Sequence, residues 1–310
     1  MVPFVAGAGP ANIDLMFLGL PRIPTEGEEL YAEEFSMHIG GGPLATLINV
    51  SRLGIPVCAG TYLGDDIFSR YINTELEKLP VSITNLYHAK HGSIPLNISV
   101  AAITANDRTF ISYTDKRNPD DNELQAVYEI CRGALIVDMQ MGYIEVCRKL
   151  KEEGTILIFD TTWEDAIPRK VYESYIELAD YWTANRQEAL KFTGCKNISD
   201  AARSLCNWLK IPIIKLDAAG CLVYKDGEHI IPAISEFKRI DSTGAGDAFL
   251  AGLIYGLYHK RPIEEAVLIG NITGGICVTA KGALTAYVTE PELLRIFEKY
   301  RRLWLEPSAT

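Results

Sequence analysis

The sequence predicts an α/β protein whose mostly parallel central sheet is covered on both faces by helices. Two observations carry this. Short apolar runs alternate with amphipathic, helix-spaced stretches through most of the chain. The apolar runs are continuous rather than alternating, as strands buried on both faces require. With 310 residues, 48% of them hydrophobic and 23% charged, the chain has enough apolar material for one large core.

The elements follow in order. Residues 2–6 read as the first buried strand, and 43–53 and 67–79 as helices. The stretches 134–138, 155–160 and 181–184 read as strands, separated by a helix over 144–152. Helices over 186–193 and 198–209 lead to strands at 211–216 and 221–224. Two long helical patterns, 248–259 and 263–279, come after the last strands.

Two segments break this rhythm. Residues 14–38 and 93–113 each carry strand-like patterns that no long helix interrupts. Asn106-Asp107 sits between two such runs and reads as a hairpin turn. Together they predict a small β insertion projecting from the α/β body. Its charges Arg108, Lys116 and Arg117 are expected to be solvated. No linker divides the chain, so residues 1–310 are expected to form one domain with this lid.

Composition narrows the function classes. The net charge of −10 argues against binding a nucleic-acid backbone. Seven scattered cysteines without a C-x-x-C pair argue against a zinc site and suit a reduced, cytoplasmic protein. No secretory signal and no membrane span is expected.

The strongest motif is Asp241-Ser242-Thr243-Gly244-Ala245-Gly246-Asp247, which opens a helix. Its glycines let backbone approach a ligand. The free N–H groups of a helix start, reinforced by the dipole, form an anion site. Asp247 falls in the first turn. A carboxylate beside an anion hole suits phosphoryl transfer to an alcohol, taking the proton while the N–H groups stabilise the moving phosphoryl. On its own the motif reads sooner as a turn with an acidic helix start, and its company elsewhere in the chain turns the balance.

Other residues add weight. Gly40-Gly41-Gly42-Pro43 precedes a helix, and Asp14 follows the first strand, where open α/β sheets bind ligands. Asn185 and Glu188 stand one helical turn apart and can hold a hydrated magnesium ion, although alone the pair reads first as an ordinary helix start with Asn185 as cap. Gly7-Ala8-Gly9-Pro10-Ala11-Asn12 approximates a dinucleotide fingerprint, but lacks its third glycine and the helix that must follow. No Walker-type G-x-x-x-x-G-K-[ST] exists.

Taken together these motifs resemble the ribokinase-like (PfkB) carbohydrate kinases, in the right order along essentially the whole chain. The segments involved are Gly40-Gly41 through Gly54, Asn185-x-x-Glu188, Lys215-Leu216-Asp217-Ala218-Ala219-Gly220, Asp241 through Asp247, and Val278 through Ala283. The resemblance implies a three-layer α/β/α fold and ATP-dependent phosphorylation of a sugar or sugar-like hydroxyl. It implies Asp247 as base, with Gly244, Ala245 and Gly246 as anion hole. It places Asp14, Gly40, Gly41, Gly42 and Ala45 at the acceptor. Asn185, Glu188, Lys215, Asp217, Gly220 and Gly282 would serve the nucleotide, with Glu188 reaching Mg2+ through water. Asp241 and Thr243 would hold K+ or another monovalent cation, and the lid would pair two subunits in a homodimer.

Three positions depart from that pattern. Ala45 stands where the family usually has Asn to bond the acceptor, Gly42 where ribokinases and several phosphosugar kinases have Lys, and Asp217 where Gly is frequent. Gly42, and Asp14 as a carboxylate that would repel an acceptor phosphate, point to an unphosphorylated acceptor, a free sugar with a nucleoside as the alternative, and Ala45 leaves open which one. A non-catalytic sugar-binding regulator is the reading from a different class.

Overall fold

A computed structural model describes residues 2–88, 94–115, 118–160 and 164–304. Ser93, Lys116 and Arg117 lie outside the described residues. The main sheet has nine strands. From one edge they run β13 (Glu228–Ile231), β12 (Cys221–Tyr224), β11 (Ile213–Lys215), β10 (Tyr181–Asn185), β9 (Ile156–Phe159), β8 (Ile136–Met139), β1 (Val5–Ala8), β4 (Val57–Thr61) and β5 (Ser82–Asn85). All pairs from β5 to β11 are parallel, and only β12 and β13 are added antiparallel.

The continuous apolar strands are buried on both faces because alternate residues serve two cores. Val5, Ile136, Ile158 and Ile213 face one core. Their neighbours Ala6, Val137, Leu157 and Ile214 face the other. The first core is covered by α1 (Pro43–Arg52), α2 (Ile67–Leu76), α8 (Ala245–Tyr258), α9 (Ile263–Cys277) and α10 (Glu290–Trp304). The second is covered by α3 (Asp121–Cys131), α4 (Ile144–Glu152), α5 (Arg169–Leu178), α6 (Arg186–Thr193) and α7 (Ile198–Leu205). The result is the expected three-layer architecture.

Helix α8 opens with the end of the Asp241–Asp247 motif, and its packing sets that motif's position. It is apolar all round and buried over Ala248–Gly256, as a central helix must be. A Cβ on Gly252 would lie 2.8 Å from the Gly270 Cα and 2.3 Å from Thr273 Oγ1, so α8 and α9 touch almost backbone to backbone. The Thr273 hydroxyl donates to the Ala248 carbonyl at 2.6 Å. This contact holds the first turn of α8 against the body.

The second sheet has four strands in the order β3 (Glu34–Ile39), β2 (Asn12–Leu20), β6 (Asn97–Thr104) and β7 (Arg108–Tyr113). It is the β insertion expected from the sequence. The central pair β2–β6 is parallel, with Asn12 opposite Asn97, and the outer pairs are antiparallel. The β6–β7 hairpin turns at Asn106-Asp107 as expected, where Thr104 Oγ1 accepts from both their amides. Phe35, Phe110, Ile111 and Tyr113 leave much of their apolar surface exposed on this sheet.

Candidate active site

The carboxyl ends of the parallel strands open onto a cleft of about 530 Å³, the place where open α/β sheets bind ligands. Four neighbouring strands deliver polar residues. β8 supplies Asp138 and, just beyond its end, Gln140. Asp160 follows β9, Asn185 ends β10, and Lys215 ends β11. From the insertion, Asn12 and Asn97 close one side. Gly41, Gly42, Pro43 and Thr46 come from the start of α1, and Gly246 and Asp247 from the start of α8.

Gly244 caps α8 with φ of 75°, and a Cβ there would lie 2.4 Å from the Ala283 Cβ, so only glycine makes this turn. The Ala245 amide points to the Ser242 carbonyl at 3.3 Å, and the Ala248 amide to Gly244. The amides of Gly246 and Asp247 have no acceptor within the helix. Of the three residues that the resemblance gave as anion hole, Gly246 lines the cleft together with Asp247, the Ala245 amide is engaged by Ser242, and Gly244 serves as the cap behind them.

Asp247 stands half-buried beside them. Its Oδ1 accepts the Gly42 amide at 2.9 Å. Burial raises its pKa to about 7. Repulsion from Asp160 adds to this, while the Gly42 N–H and Lys215 pull the other way. That value suits a general base at neutral pH. Lys215 lies on the opposite wall, with Nζ 3.0 Å and 3.3 Å from the two oxygens of Asp160. A Cβ on Gly246 would be 3.6 Å from that Nζ, so the ammonium faces the open helix start. Burial opposes its charge, but Asp160 and Glu188 outweigh this and raise its pKa.

Asn185 and Glu188 form a capping box. The Asn185 side chain accepts the Glu188 amide at 2.9 Å, and Glu188 Oε2 accepts the Asn185 amide at 2.7 Å. Both also line the cleft, so capping and ligand binding are not alternatives here. The cap holds the Glu188 carboxylate at the cleft wall. Among the described residues no group of three or more His, Cys, Asp or Glu is arranged as a metal cage. A magnesium ion that arrives with a nucleotide needs only one or two protein carboxylates, and Glu188 and Asp160 fit that need.

Several expected site residues lie elsewhere. Ala45 is fully buried in the core on α1, and its neighbour Thr46 reaches the cleft instead, with a buried Oγ1 that has no partner. Asp14 is nearly buried behind Gly40. A Cβ on Gly40 would lie 2.8 Å from its Oδ1, and Asn12 takes the cleft position on the same strand face. Burial, with Asp241 nearby, raises the Asp14 pKa to about 6 against the pull of Arg108. Asp217 and Gly220 form the tight turn between β11 and β12 and do not line the cleft. Asp217 adopts φ of 54° there, in the left-handed region that favours glycine.

The residues read as a monovalent-cation site do not fit one. Asp241 Oδ1 accepts the amide and hydroxyl of Thr243 at 3.0 Å and 2.9 Å and Arg108 Nη1 at 2.7 Å. Its Oδ2 accepts the Gly282 amide at 2.9 Å. Arg108 Nη1 also donates to Thr243 Oγ1, at 2.9 Å. A positive charge from the chain already stands on these side-chain oxygens. Arg108 is thus not the solvated lid charge expected from the sequence. Gly282 serves this junction rather than the cleft.

Asn12, Asn97, Thr46, Asp138, Gln140 and Asp160 were not singled out from the sequence. Asp138 and Asp160 carried a usable signal, an acid at or just past the end of a buried apolar run. Asp138 is buried with Oδ2 unpartnered, and burial, then Asp160, push its pKa well above the carboxylate range.

Comparison with known proteins agrees with this geometry. The sequence pattern of pfkB family carbohydrate kinases matches residues 7–290. The chain is 26% identical over 289 residues to Fructokinase-1 of Zea mays, covering 84% of this chain and 88% of that protein. The ribokinase of Arabidopsis thaliana, solved with ribose and ATP, superposes with a TM-score of 0.79 at 21% identity, covering 96% of this chain and 99% of the other. A nucleoside kinase of Methanocaldococcus jannaschii superposes at 0.78 with 21% identity, covering 96% and 99%. No helix among the described residues is long and apolar enough to cross a membrane.

Proposed function

The chain belongs to the pfkB family of carbohydrate kinases, and from that premise we propose that it transfers the γ-phosphoryl of ATP to a hydroxyl of an unphosphorylated sugar, with Asp247 as the base. One observation carries the reading. A half-buried carboxylate whose pKa is raised to about 7 stands at an open helix start, facing a lysine across a cleft lined by polar side chains.

Asp247 takes the proton of the acceptor hydroxyl as its oxygen bonds to the γ-phosphorus. The bond from that phosphorus to the β–γ bridging oxygen breaks, and ADP leaves. The amides of Gly246 and Asp247 and the Lys215 ammonium face the charge that spreads over the phosphoryl oxygens. Magnesium bound with the nucleotide, near Glu188, would neutralise phosphate charge.

The acceptor end supports a neutral, hydroxyl-rich substrate. Asn12, Asn97, Thr46 and Gln140 offer donors and acceptors there. Among the described lining residues Lys215 is the only cation, and Asp160 pairs with it. Among the described lining residues no positive charge is left over for a second phosphate on the acceptor. A nucleoside shares the same hydroxyls and is the second reading, supported by the likeness to a nucleoside kinase. Pairing of two copies through the exposed Phe35, Phe110, Ile111 and Tyr113 would make a homodimer. The free thiols of all seven cysteines suit a cytoplasmic setting.

The test is ADP release over free sugars, sugar acids, sugar phosphates and nucleosides, with and without a chelator. Highest kcat/KM with a free sugar, abolished by chelation, is the expected result. A sugar phosphate as best acceptor would overturn the substrate reading. No turnover with any acceptor would favour the regulatory binder. Light scattering checks the dimer, and a monomeric mass at micromolar concentration would remove it.

A further inference from the structure

The Asp241 carboxylate is where the lid meets the catalytic loop. Arg108, first residue of β7, reaches across 133 residues of sequence to bond Asp241 and Thr243 through Nη1 and Ser242 Oγ through Nη2 at 2.8 Å. Its guanidinium thus engages all three residues that precede the Gly244 cap. The opposite edge of the lid arrives at the same junction. Lys281 pairs with Glu34 of β3 at 2.6 Å. A Cβ on Gly282 would lie 2.7 Å from the His38 ring, and the Gly282 amide is the one held by Asp241 Oδ2.

Arg108 is well placed to act as a rigid peg rather than a loose surface charge. The tight turn before it is closed by Thr104, the Asp107 carboxylate accepts its amide at 2.8 Å, and its guanidinium lies 5.3 Å from the Phe110 ring. Asp241, its main partner, has a side chain only 8% exposed. Burial opposes ionisation of Asp241, yet the amides of Gly282 and Thr243 and the Arg108 charge hold its pKa below the usual range.

The same lid supplies Asn12 and Asn97 to the cleft, where the Asn97 side chain donates to Asn12 Oδ1 at 2.9 Å and Asn12 donates to the Gly41 carbonyl at 2.7 Å. The lid is therefore tied to the acceptor end through Asn12 and to the anion hole through Arg108. We infer that Arg108 is a positioning residue. Its guanidinium supplies from the lid the positive charge of the Asp241–Thr243 loop, so closure over the acceptor and alignment of the helix start are one event, needing no monovalent cation from solution. A cation bound among these oxygens would stand against the guanidinium and be repelled by it.

This inference rests on the kinase reading, and its test separates the two. Rates of the wild-type enzyme are measured in potassium, sodium and tetramethylammonium chloride at equal ionic strength. The same rate in all three is expected, and a rate specific to potassium would overturn the inference. Arg108→Ala is expected to lose ~10²-fold in kcat through misalignment, with the KM for ATP little changed. Guanidinium chloride at non-denaturing concentration should restore part of that loss, an effect that a merely destabilised protein would not show. Unchanged kcat in Arg108→Ala, or a loss that guanidinium leaves untouched in a variant of unaltered melting temperature, sinks the proposal. Amide hydrogen exchange over residues 97–113 gives a readout independent of turnover. Faster exchange in Arg108→Ala supports the latch even if no acceptor is found, and unchanged exchange counts against it.

Discussion

Gly41 is a glycine because Asp247 occupies the space its side chain would need. A Cβ at position 41 would lie 2.5 Å from Asp247 Oδ2, closer than any real contact. The adjacent Gly42 amide holds the other oxygen at 2.9 Å. Two segments 205 residues apart thus define one carboxylate from both sides.

Gly41→Ala is therefore expected to move the Asp247 carboxylate rather than unfold α1. Turnover should fall ~10²-fold, the cost of roughly 1 Å of misplacement at a reacting group. ATP binding, which does not need that oxygen, should change little. Steady-state kinetics beside calorimetric titration with ATP would show the split, and equal losses in both would refute it.

Asp247→Asn keeps an acceptor for the Gly42 amide but cannot take a proton. A loss of roughly 10²–10⁴-fold in kcat is expected from a missing general base. A folded Asp247→Asn protein with near-normal turnover would remove Asp247 from the mechanism.

The pKa of Asp247, raised to about 7, sets a pH dependence with a definite sign. The base works ionised, so kcat/KM should climb as pH rises through about 7 and level off above it. Stability runs the other way. Between the ordinary value of 3.8 and about 7 the folded state holds this proton more tightly than the unfolded chain. Folding stability from this group is then greatest at low pH and is lost as pH rises through 7. Asp247→Asn should melt above the wild type at alkaline pH, and the gap should close in acid. A gap that is constant or widens toward acid would contradict the raised pKa.

Lys215 and Asp160 should separate stability from catalysis. The pair is mostly buried, with side-chain exposures of 20% and 18%. Lys215→Met leaves Asp160 unpaired, which costs about 3 kcal/mol or more for a buried charge. It also removes the cation facing the helix start, for an expected loss of ~10²-fold in kcat. Adding Asp160→Asn should recover much of the stability and little of the turnover. Recovery of both, read by thermal melts and initial rates, would make Lys215 purely structural.

The periodicity of the chain determined the layers. Continuous apolar runs at 134–138, 155–160 and 211–216 could be buried only between two sets of helices, and the β insertion announced itself by lacking them. Helix bounds at 186–193 were legible because Asn185 and Glu188 cap the start and Gly194 stops the helix, whereas 144–152 starts without a side-chain cap and is marked by its apolar spacing and the Gly154 that follows it. Asp247 was legible for a similar reason. Glycines flanking an acid at a helix start form a local pattern, and the chemistry of a helix N-terminus is local too.

What only the tertiary structure decided concerns pairs far apart in the chain. That Arg108 spends its charge on Asp241 follows from the lid folding back over the body, and nothing in the spacing of residues 108 and 241 encodes it. The substitution of Thr46 for Ala45 at the cleft turns on the rotation of α1 about its axis, since successive helix residues point about 100° apart. The Asp160–Lys215 pair forms because β9 and β11 both end at the same rim with β10 between them. Such contacts depend on the order of strands in the sheet, and strand order is a property of the packed chain rather than of any window along it.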